Sequence, residues 1–432
     1  MQIYVVKPGD TVSGIARQFN IPASRLASVN QLPDPNRLVV GQAIVIPIVG
    51  EYYVVQRGDT LWQIGQKFNI SYQRLASVNN ILVTRPLTVG TRLYIPPSPK
   101  REGEFYGYVD SSRRTISADV ERQINDNAAG LSYIGPSSFE AKRDGSLSAP
   151  NLNNFRSIAE NNRLIYSMVV TNIEDGAFSE ELGHILLTNT AVQNTLLNNI
   201  VTTAKANNFR DIHFDFEFLR AEDREAYNNF LRKARDRFKQ EGWLISTALA
   251  PKTSATQQGQ WYEAHDYKAH GEIVDFVVLM TYEWGYSGGP PLAVSPINQV
   301  QKVIEYAISE IPSSKILMGQ NLYGYDWTLP YKQGNPPAKA YSAQRALEIA
   351  YQYNTSIQYS TTSQAPYYNY RDEQGKEHVV WFEDARSIQR KFDLVKQFRL
   401  RGVAYWKLGL PFPQNWLLIQ KNFNVKKFNS QS

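Results

Sequence analysis

The chain has 432 residues, of which 42% are hydrophobic and 12% aromatic. This length predicts two or three domains, and the apolar content is sufficient for buried cores, which excludes a wholly disordered chain. There is no cysteine, which excludes disulfides and thiolate metal sites. The net charge of +6 is spread along the chain, without the dense Lys/Arg block that nucleic-acid binding favours. No apolar stretch is long enough to span a membrane, and the N-terminus lacks the features of a signal peptide.

The first hundred residues contain an internal repeat. Residues 4–47 align with residues 53–96 at a constant offset of 49, without a gap, and 21 of the 44 positions are identical. Each unit predicts the order βααβ. In the first unit Asp10 or Thr11 can cap the first helix, Asn30 lies where the second helix should end, and a Val-Gly turn precedes the closing strand. The second unit repeats this pattern.

This repeat strongly resembles LysM domains, which bind glycans that contain N-acetylglucosamine, such as peptidoglycan and chitin. The resemblance covers both units and implies that residues 1–48 and 52–97 are glycan-binding modules. A repeat that serves only stability or self-association is the alternative. The polar segment PSPKREGE follows, and we predict a short linker over residues 98–104.

From residue 105 to residue 432, strands alternate with helices, which predicts an α/β fold. The expected architecture is a (β/α)8 TIM barrel, whose active site lies at the C-terminal ends of the strands. Residues from about 328 to 384 are too many for a simple loop, so we predict a small α+β insertion between strands seven and eight that walls the cleft. The eight strands are predicted at residues 105–109, 131–134, 164–170, 211–217, 244–249, 274–280, 315–319 and 403–406.

The predicted fourth strand, DIHFDFE, carries the strongest chemical signal. Side chains alternate along a strand, so Asp211, His213, Asp215 and Glu217 share one face, which looks into the barrel. Glu217 comes last, at the catalytic rim, and Asp215 lies one layer below it. Two neighbouring carboxyl groups do not readily ionise together, which keeps one protonated as the acid that a glycosidase requires. A purely structural ladder of polar residues is the alternative.

At this strand the chain resembles glycoside hydrolase family 18, whose motif DGxDxDxE ends in the acid/base Glu. By the matching positions Glu217 is the acid/base, and Asp215 orients and stabilises the acetamido group of the substrate. His213 replaces the middle Asp, and Arg210-Asp211 replaces the leading Asp-Gly. We therefore expect His213 and Asp211 to stabilise the catalytic pair without contacting the substrate themselves. The resemblance implies retaining catalysis without a protein nucleophile, in which the N-acetyl oxygen of the substrate attacks C1 and forms an oxazolinium intermediate.

Further positions resemble the substrate-binding residues of that family. In the segment MTYEW, Tyr282 is expected to hydrogen-bond the acetamido oxygen, and Glu283, which replaces the usual Asp, to contact a sugar hydroxyl. Trp406, in GVAYWKLG, resembles the tryptophan that forms the floor of the −1 subsite. Packing inside the barrel is the alternative role of each. Three residues that follow strand seven are additional candidates for substrate binding: Gln320, Asn321 and Tyr323.

The sequence argues against two other kinds of site. Residues 285–289 satisfy the hydrolase pattern G-x-S-x-G, but Pro290-Pro291 follows at once, where that motif requires a helix. The five histidines lack the spacing of zinc ligands, so we expect no metal and no cofactor.

A narrower resemblance covers essentially the whole chain. Paired LysM units followed by EAKRDG, RDIHFDFE, HDYKA, GNPPAKA and GLPFPQNW resemble the cortex-fragment-lytic N-acetylglucosaminidases of spore-forming bacteria. This implies hydrolysis of the β-1,4 bond after N-acetylglucosamine in spore cortex peptidoglycan. A chitinase and a non-catalytic glycan-binding lectin are the alternatives, and the presence of both Asp215 and Glu217 argues against the lectin.

The resemblance also implies partners and a location. We expect a monomer that binds peptidoglycan through its LysM modules and its barrel cleft, with no nucleic-acid or membrane partner. Because no export signal is recognisable, we expect the mother cell to make the protein in its cytoplasm and to deposit it on the spore, in the coat and cortex region.

Overall fold

The computed structural model describes residues 1–111 and 116–428, and a closed barrel of eight parallel strands forms its centre. Each barrel strand pairs with its neighbours in chain order, and the eighth pairs with the first, for example at Val403 and Phe105, which closes the ring. The predicted TIM barrel is therefore confirmed. The eight strands, in chain order, are Arg101–Asp110, Tyr133–Ser137, Ile165–Thr171, Asp211–Asp215, Leu244–Leu249, Phe276–Leu279, Ile316–Asn321 and Gly402–Trp406.

Helices surround the barrel because their apolar faces cover the outward side chains of the strands. Phe214, which points outward from the fourth strand, packs edge to face on Phe230 of the following helix at 5.1 Å between ring centroids. No helix in the described ranges is long and apolar enough to cross a membrane. The helices around the barrel are Ala118–Asn127, Phe155–Asn161, Glu180–Thr188, Thr190–Asn207, Arg224–Lys239, Tyr267–Ile273, Ile297–Glu310, Ala385–Gln397 and Pro413–Asn422, with 3-10 turns at Ala128–Gly130, Ala221–Asp223 and Ser313–Lys315.

Two barrel strands differ from their predicted bounds. The first begins at Arg101, inside the predicted linker, because residues 101–103 pair with a short C-terminal strand, Phe423–Val425. The fourth ends at Asp215 rather than at Glu217. It ends there because the backbone N–H and carbonyl of Glu217 bond to the Asn172 side chain, at 2.9 and 3.0 Å. Glu217 therefore lies just beyond the strand, at the rim.

The insertion between strands seven and eight is an antiparallel sheet of five strands covered by one helix, Ala343–Gln352. Its first strand begins at Tyr323, five residues before the predicted start, since the chain turns straight from the seventh barrel strand into this sheet. Short two-residue and three-residue strands also extend the loops after barrel strands two and three: Phe139–Ala141, Leu147–Ser148, Ile173–Glu174 and Ala177–Phe178. The strands of the insertion, in sheet order, are Lys339–Ser342, Tyr323–Thr328, Glu377–Trp381, Ala365–Arg371 and Gln358–Ser360.

Both LysM units have the predicted order βααβ. Thr11 and Thr60, rather than the preceding aspartates, cap the first helices, and each accepts a backbone N–H through its hydroxyl. Asn30 ends the second helix and also bonds the closing strand on both sides of Val45, at 2.7 and 2.8 Å, and Asn79 does the same at Tyr94. The elements are Gln2–Val5, Val12–Gln18, Ala23–Val29 and Ala43–Ile46 in the first unit, and Glu51–Val54, Leu61–Phe68, Tyr72–Val78 and Arg92–Ile95 in the second.

The first LysM unit packs against the barrel, and the second packs against the first. Ala43 and Val45 of the first unit are buried in the same apolar core as the barrel. Between the two units, the guanidinium of Arg92 in the second unit lies 5.0 Å from the ring centroid of Phe19 in the first unit and donates to the Gln18 carbonyl at 2.8 Å. The modules are therefore fixed to the barrel by contacts that the sequence did not predict.

Candidate active site

A cleft of about 790 Å³ opens at the C-terminal ends of the barrel strands. The last residues of the first four strands, Asp110, Ser137, Thr171 and Asp215, all line it. The insertion supplies a further wall through residues of its first two strands. The cleft is therefore where the TIM-barrel fold places active sites.

Below the cleft, the inward residues of the fourth strand form a buried polar chain. Ser246 donates to Asp211 at 2.9 Å and lies 2.8 Å from Nδ1 of His213, and the hydroxyl of Tyr108 lies 2.8 Å from Nε2 of His213. Burial lowers the pKa of His213 to about 3, so the imidazole is neutral at ordinary pH. His213 and Asp211 thus lie below the cleft, where neither belongs to its lining.

Glu217 is held at the rim by hydrogen bonds with two side chains. Asn172 bonds both backbone groups of Glu217, as described above, and Trp261 donates its indole N–H to Oε2 at 2.5 Å. Phe218, the next residue, has a φ of +53°, a left-handed conformation that is uncommon for a bulky side chain. Its ring stacks on Trp261 with 6.0 Å between centroids. The turn that presents Glu217 is therefore strained and is held by its neighbours.

The carboxyl groups of Asp215 and Glu217 form a hydrogen-bonded pair. Burial, and after it the negative charge of Asp215, raises the pKa of Glu217 well above the usual carboxyl range. Burial also raises the pKa of Asp215, and the hydrogen bond with Glu217 opposes that rise. The pair therefore retains a proton, and Glu217 is the member that holds it.

Asp215 has a free acceptor. Its Oδ1 is buried and has no hydrogen-bond partner among residues 1–111 and 116–428. A buried acceptor without a partner is costly, so a donor from a bound molecule would stabilise this atom. The neighbouring Tyr282 is also buried, at 9% exposure, and it lines the cleft close enough for the charges of Asp215 and Glu217 to raise its pKa, after the larger effect of burial.

Glu283 faces the cleft between two tyrosines of the insertion. Tyr323 donates to its Oε1, and Tyr325 donates to both oxygens at 3.1 and 3.2 Å. Burial raises the pKa of Glu283, and the tyrosine hydroxyls oppose that rise. Its φ of +69° is a second left-handed conformation at the rim. Glu283 and Tyr323 thus share one polar wall of the cleft.

Trp406 ends the eighth strand and lines the cleft. Its ring lies 5.7 Å from that of Tyr108, centroid to centroid, and it packs in one apolar cluster with Tyr282 and Tyr323. The next residue, Lys407, pairs with Asp110 at the edge of the same cleft. The structure thus brings Glu217, Asp215, Tyr282 and Trp406 together.

Gln320 and Asn321 occupy a different place. Both are buried in the seventh strand, and neither belongs to the lining of the cleft. Gln320 donates to the Asn321 side chain and carbonyl, and Asn321 donates to the Tyr323 carbonyl at 2.7 Å. These bonds stabilise the turn from the barrel into the insertion.

Several residues of the site have no signal in the sequence. Trp261 lies in the long loop after strand five, in the polar stretch TQQGQWYE, where nothing in the pattern marks it. Asn172 directly follows strand three and reads as an ordinary loop residue. The sequence pattern places Tyr108 in the first strand and indicates no further role for it. Its position two residues before the end of that strand, on the inward face, could have indicated a cleft residue.

Family comparisons agree with this architecture. The profile described as Glycosyl hydrolases family 18 matches residues 104–410, and the LysM domain profile matches residues 4–47 and 53–96. The family-18 match covers most of the chain and includes the strand that carries Asp215 and the rim residue Glu217.

Similar proteins are known along the whole length. The chain is 64% identical over 427 residues to the Cortical fragment-lytic enzyme of Bacillus subtilis (strain 168), and the match covers 99% of both chains. It superposes with a TM-score of 0.91 on the crystal structure of the Bacillus megaterium QM B1551 spore cortex-lytic enzyme SleL, at 61% identity and 99% coverage of both chains. A chitinase from Chromobacterium violaceum shares the fold at 21% identity, a TM-score of 0.67 and coverage of 74% of this chain and 98% of the other. This chain therefore belongs to glycosyl hydrolase family 18 and is a glycoside hydrolase that carries two LysM domains.

Proposed function

We propose that this enzyme is a spore cortex N-acetylglucosaminidase, which hydrolyses the β-1,4 bond after N-acetylglucosamine by substrate-assisted, retaining catalysis. The observation that supports this mechanism is the carboxyl pair of Asp215 and Glu217 at the rim of the cleft, in which the pKa of Glu217 is raised. The observation that favours spore cortex is the full-length similarity to the Cortical fragment-lytic enzyme.

In the first step Glu217 acts as the general acid. Its raised pKa keeps it protonated, so that it can donate to the glycosidic oxygen as the bond breaks. The carbonyl oxygen of the substrate's own acetamido group attacks C1 and forms an oxazolinium. Asp215 Oδ1, the buried acceptor, receives the acetamido N–H, and the nearby Tyr282 hydroxyl donates to the acetamido oxygen. Asp215 then opposes the positive charge of the intermediate.

In the second step Glu217, now a carboxylate, accepts a proton from water, which attacks C1 from the face that the leaving group vacated. Two displacements at C1 retain the β configuration. The indole N–H of Trp261 stabilises this ionised Glu217. Trp406 supplies an aromatic face for the −1 sugar, and Glu283 a carboxylate for a sugar hydroxyl. Gln320 and Asn321 have no part in these contacts.

This mechanism restricts the substrate. The −1 sugar must carry an intact N-acetyl group, because its oxygen is the nucleophile. Muramic lactam, whose amide is closed into a ring, cannot serve there but fits the +1 side. We therefore infer that the enzyme cuts cortex glycan on the reducing side of N-acetylglucosamine, and that it acts in the spore.

Product analysis tests this proposal. Soluble cortex fragments, vegetative peptidoglycan and chitin are digested in parallel, and the products are identified by mass spectrometry. The expected result is N-acetylglucosamine at the new reducing ends of cortex fragments, with slower cleavage of the other two substrates. Equal or faster cleavage of vegetative peptidoglycan or chitin would contradict the cortex assignment.

A further inference from the structure

The two LysM units share 21 of 44 aligned residues but have different surroundings. In the first unit the barrel domain covers the backbone of the turn before the closing strand, at Val40 and Gly41, and the Val40 side chain is 37% exposed. The backbone N–H of Ile357 donates to the Val40 carbonyl at 2.8 Å, and Arg386 donates to the Gly41 carbonyl at 3.1 Å. A Cβ on Gly41 would lie 1.8 Å from the Ile357 carbonyl oxygen. This turn therefore has no room for a ligand.

Side chains next to the same turn extend this contact. Arg37 donates to the Tyr351 carbonyl at 2.7 Å, and the Tyr351 hydroxyl donates to Gln42 at 2.8 Å. Val39 is buried in the apolar core of the insertion, together with Tyr368. The loop from residue 37 to residue 42 thus joins the first unit to the insertion.

In the second unit the corresponding turn is open. Val89, the counterpart of Val40, is 60% exposed, and apart from Gly90 and its two chain neighbours no heavy atom of the described residues lies within 4 Å of the position that a Cβ on Gly90 would take. The turn pairs through its backbone with Val55, next to the loop that leads into the helix Leu61–Phe68. Near the start of that helix Trp62 is 59% exposed, where the first unit has Ser13.

The charges of the units also differ. Residues 53–96 contain five Lys or Arg and one Asp, whereas residues 4–47 contain four Lys or Arg and two Asp. Peptide-bearing wall glycan carries carboxylates, so the more basic second unit is the better electrostatic match. An exposed indole adds an apolar surface on which the flat face of a sugar ring can pack.

We propose that the second LysM unit carries the glycan-binding surface, formed by Trp62 and the turn at Val89 and Gly90, whereas the first unit attaches the second unit to the barrel domain. The first unit joins the second to the barrel domain, because it contacts the insertion through Arg37 and contacts Arg92 of the second unit through Phe19. A glycan strand bound to the second unit is then held in a fixed position relative to the cleft. This inference rests on the proposed function, since it assumes that peptidoglycan is the ligand.

The test compares point variants of the full-length enzyme, because removing the first unit would also remove Ala43 and Val45 from the apolar core that they share with the barrel. Trp62→Ala and Val89→Asp alter exposed side chains of the second unit, and Ser13→Ala is the matched control in the first. Each protein is incubated with insoluble cortex peptidoglycan and sedimented, and the bound fraction is measured against peptidoglycan concentration. Thermal unfolding and analytical ultracentrifugation establish that each variant is folded and has the same oligomeric state as the unmodified chain.

We expect Trp62→Ala and Val89→Asp to weaken binding about five-fold or more, as truncation of a central contact residue does, and Ser13→Ala to bind like the unmodified chain. Unchanged binding by folded Trp62→Ala would overturn the inference, and so would equal losses in Ser13→Ala. A change of oligomeric state in Trp62→Ala would overturn it in favour of a second copy of the chain on this surface. If the unmodified chain does not bind insoluble cortex at all, the proposed ligand itself is wrong.

Discussion

The indole N–H of Trp261 donates to Oε2 of Glu217 at 2.5 Å, so a residue from the loop after strand five stabilises the ionised form of an acid beside strand four. This bond lowers the pKa of Glu217, against the larger raising effects of burial and of the Asp215 charge. Some contacts therefore raise the pKa of Glu217 and others lower it, and single substitutions can remove one contact at a time.

Trp261→Phe removes the donor and keeps an aromatic ring beside Phe218. Because the ionised form of Glu217 loses a hydrogen bond, its pKa should rise further. Glu217 must be protonated to act as the acid, so the alkaline limb of the pH profile of kcat/KM should move to higher pH. The profile is measured with soluble cortex fragments. Trp416→Phe, on a helix that does not line the cleft, is the control. A limb that moves to lower pH would contradict the role of Trp261.

Asp215→Asn should move the alkaline limb of the pH profile of kcat/KM to lower pH, opposite to the effect of Trp261→Phe. Without the negative charge of Asp215 the ionised form of Glu217 is less disfavoured, so the pKa of Glu217 falls and activity is lost at lower pH than before. Turnover should also fall by about 10² or more, because the acetamido N–H and the oxazolinium lose their carboxylate. An unchanged alkaline limb in folded protein would show that the two carboxyl groups are not coupled.

The substrate-assisted mechanism predicts a specific inhibitor and a specific product. A thiazoline that mimics the oxazolinium should inhibit competitively, and the first product should have the β configuration at its new reducing end. NMR of a reaction followed before mutarotation distinguishes the two anomers. An α product would establish inversion and exclude this mechanism.

The periodic parts of this fold were predictable from the sequence. A constant offset of 49 predicted two units with the same βααβ order, because a strict repeat requires the same local structure twice. Alternation along DIHFDFE predicted which residues of the fourth strand face inward, since the side-chain period of a strand is two. These signals are local, so residues close in sequence were enough to identify them.

The remaining features depend on contacts between distant residues. The end of the fourth strand at Asp215 follows from the Asn172 side chain, 45 residues before Glu217. The early start of the first strand follows from pairing with Phe423–Val425 near the other end of the chain. The covered turn of the first LysM unit depends on Ile357 of the insertion. No periodicity marks such contacts, so the sequence alone does not reveal them.

The most direct test of this account is the turnover of Glu217→Gln on soluble cortex fragments. Glutamine keeps the size of the side chain and can still pair with Trp261, but it cannot donate and recover a proton. We predict that folded Glu217→Gln, with thermal unfolding like that of the unmodified enzyme, loses at least about 10² in kcat, the lower end of the contribution of a general acid. Turnover near that of the unmodified enzyme would show that another group protonates the glycosidic oxygen.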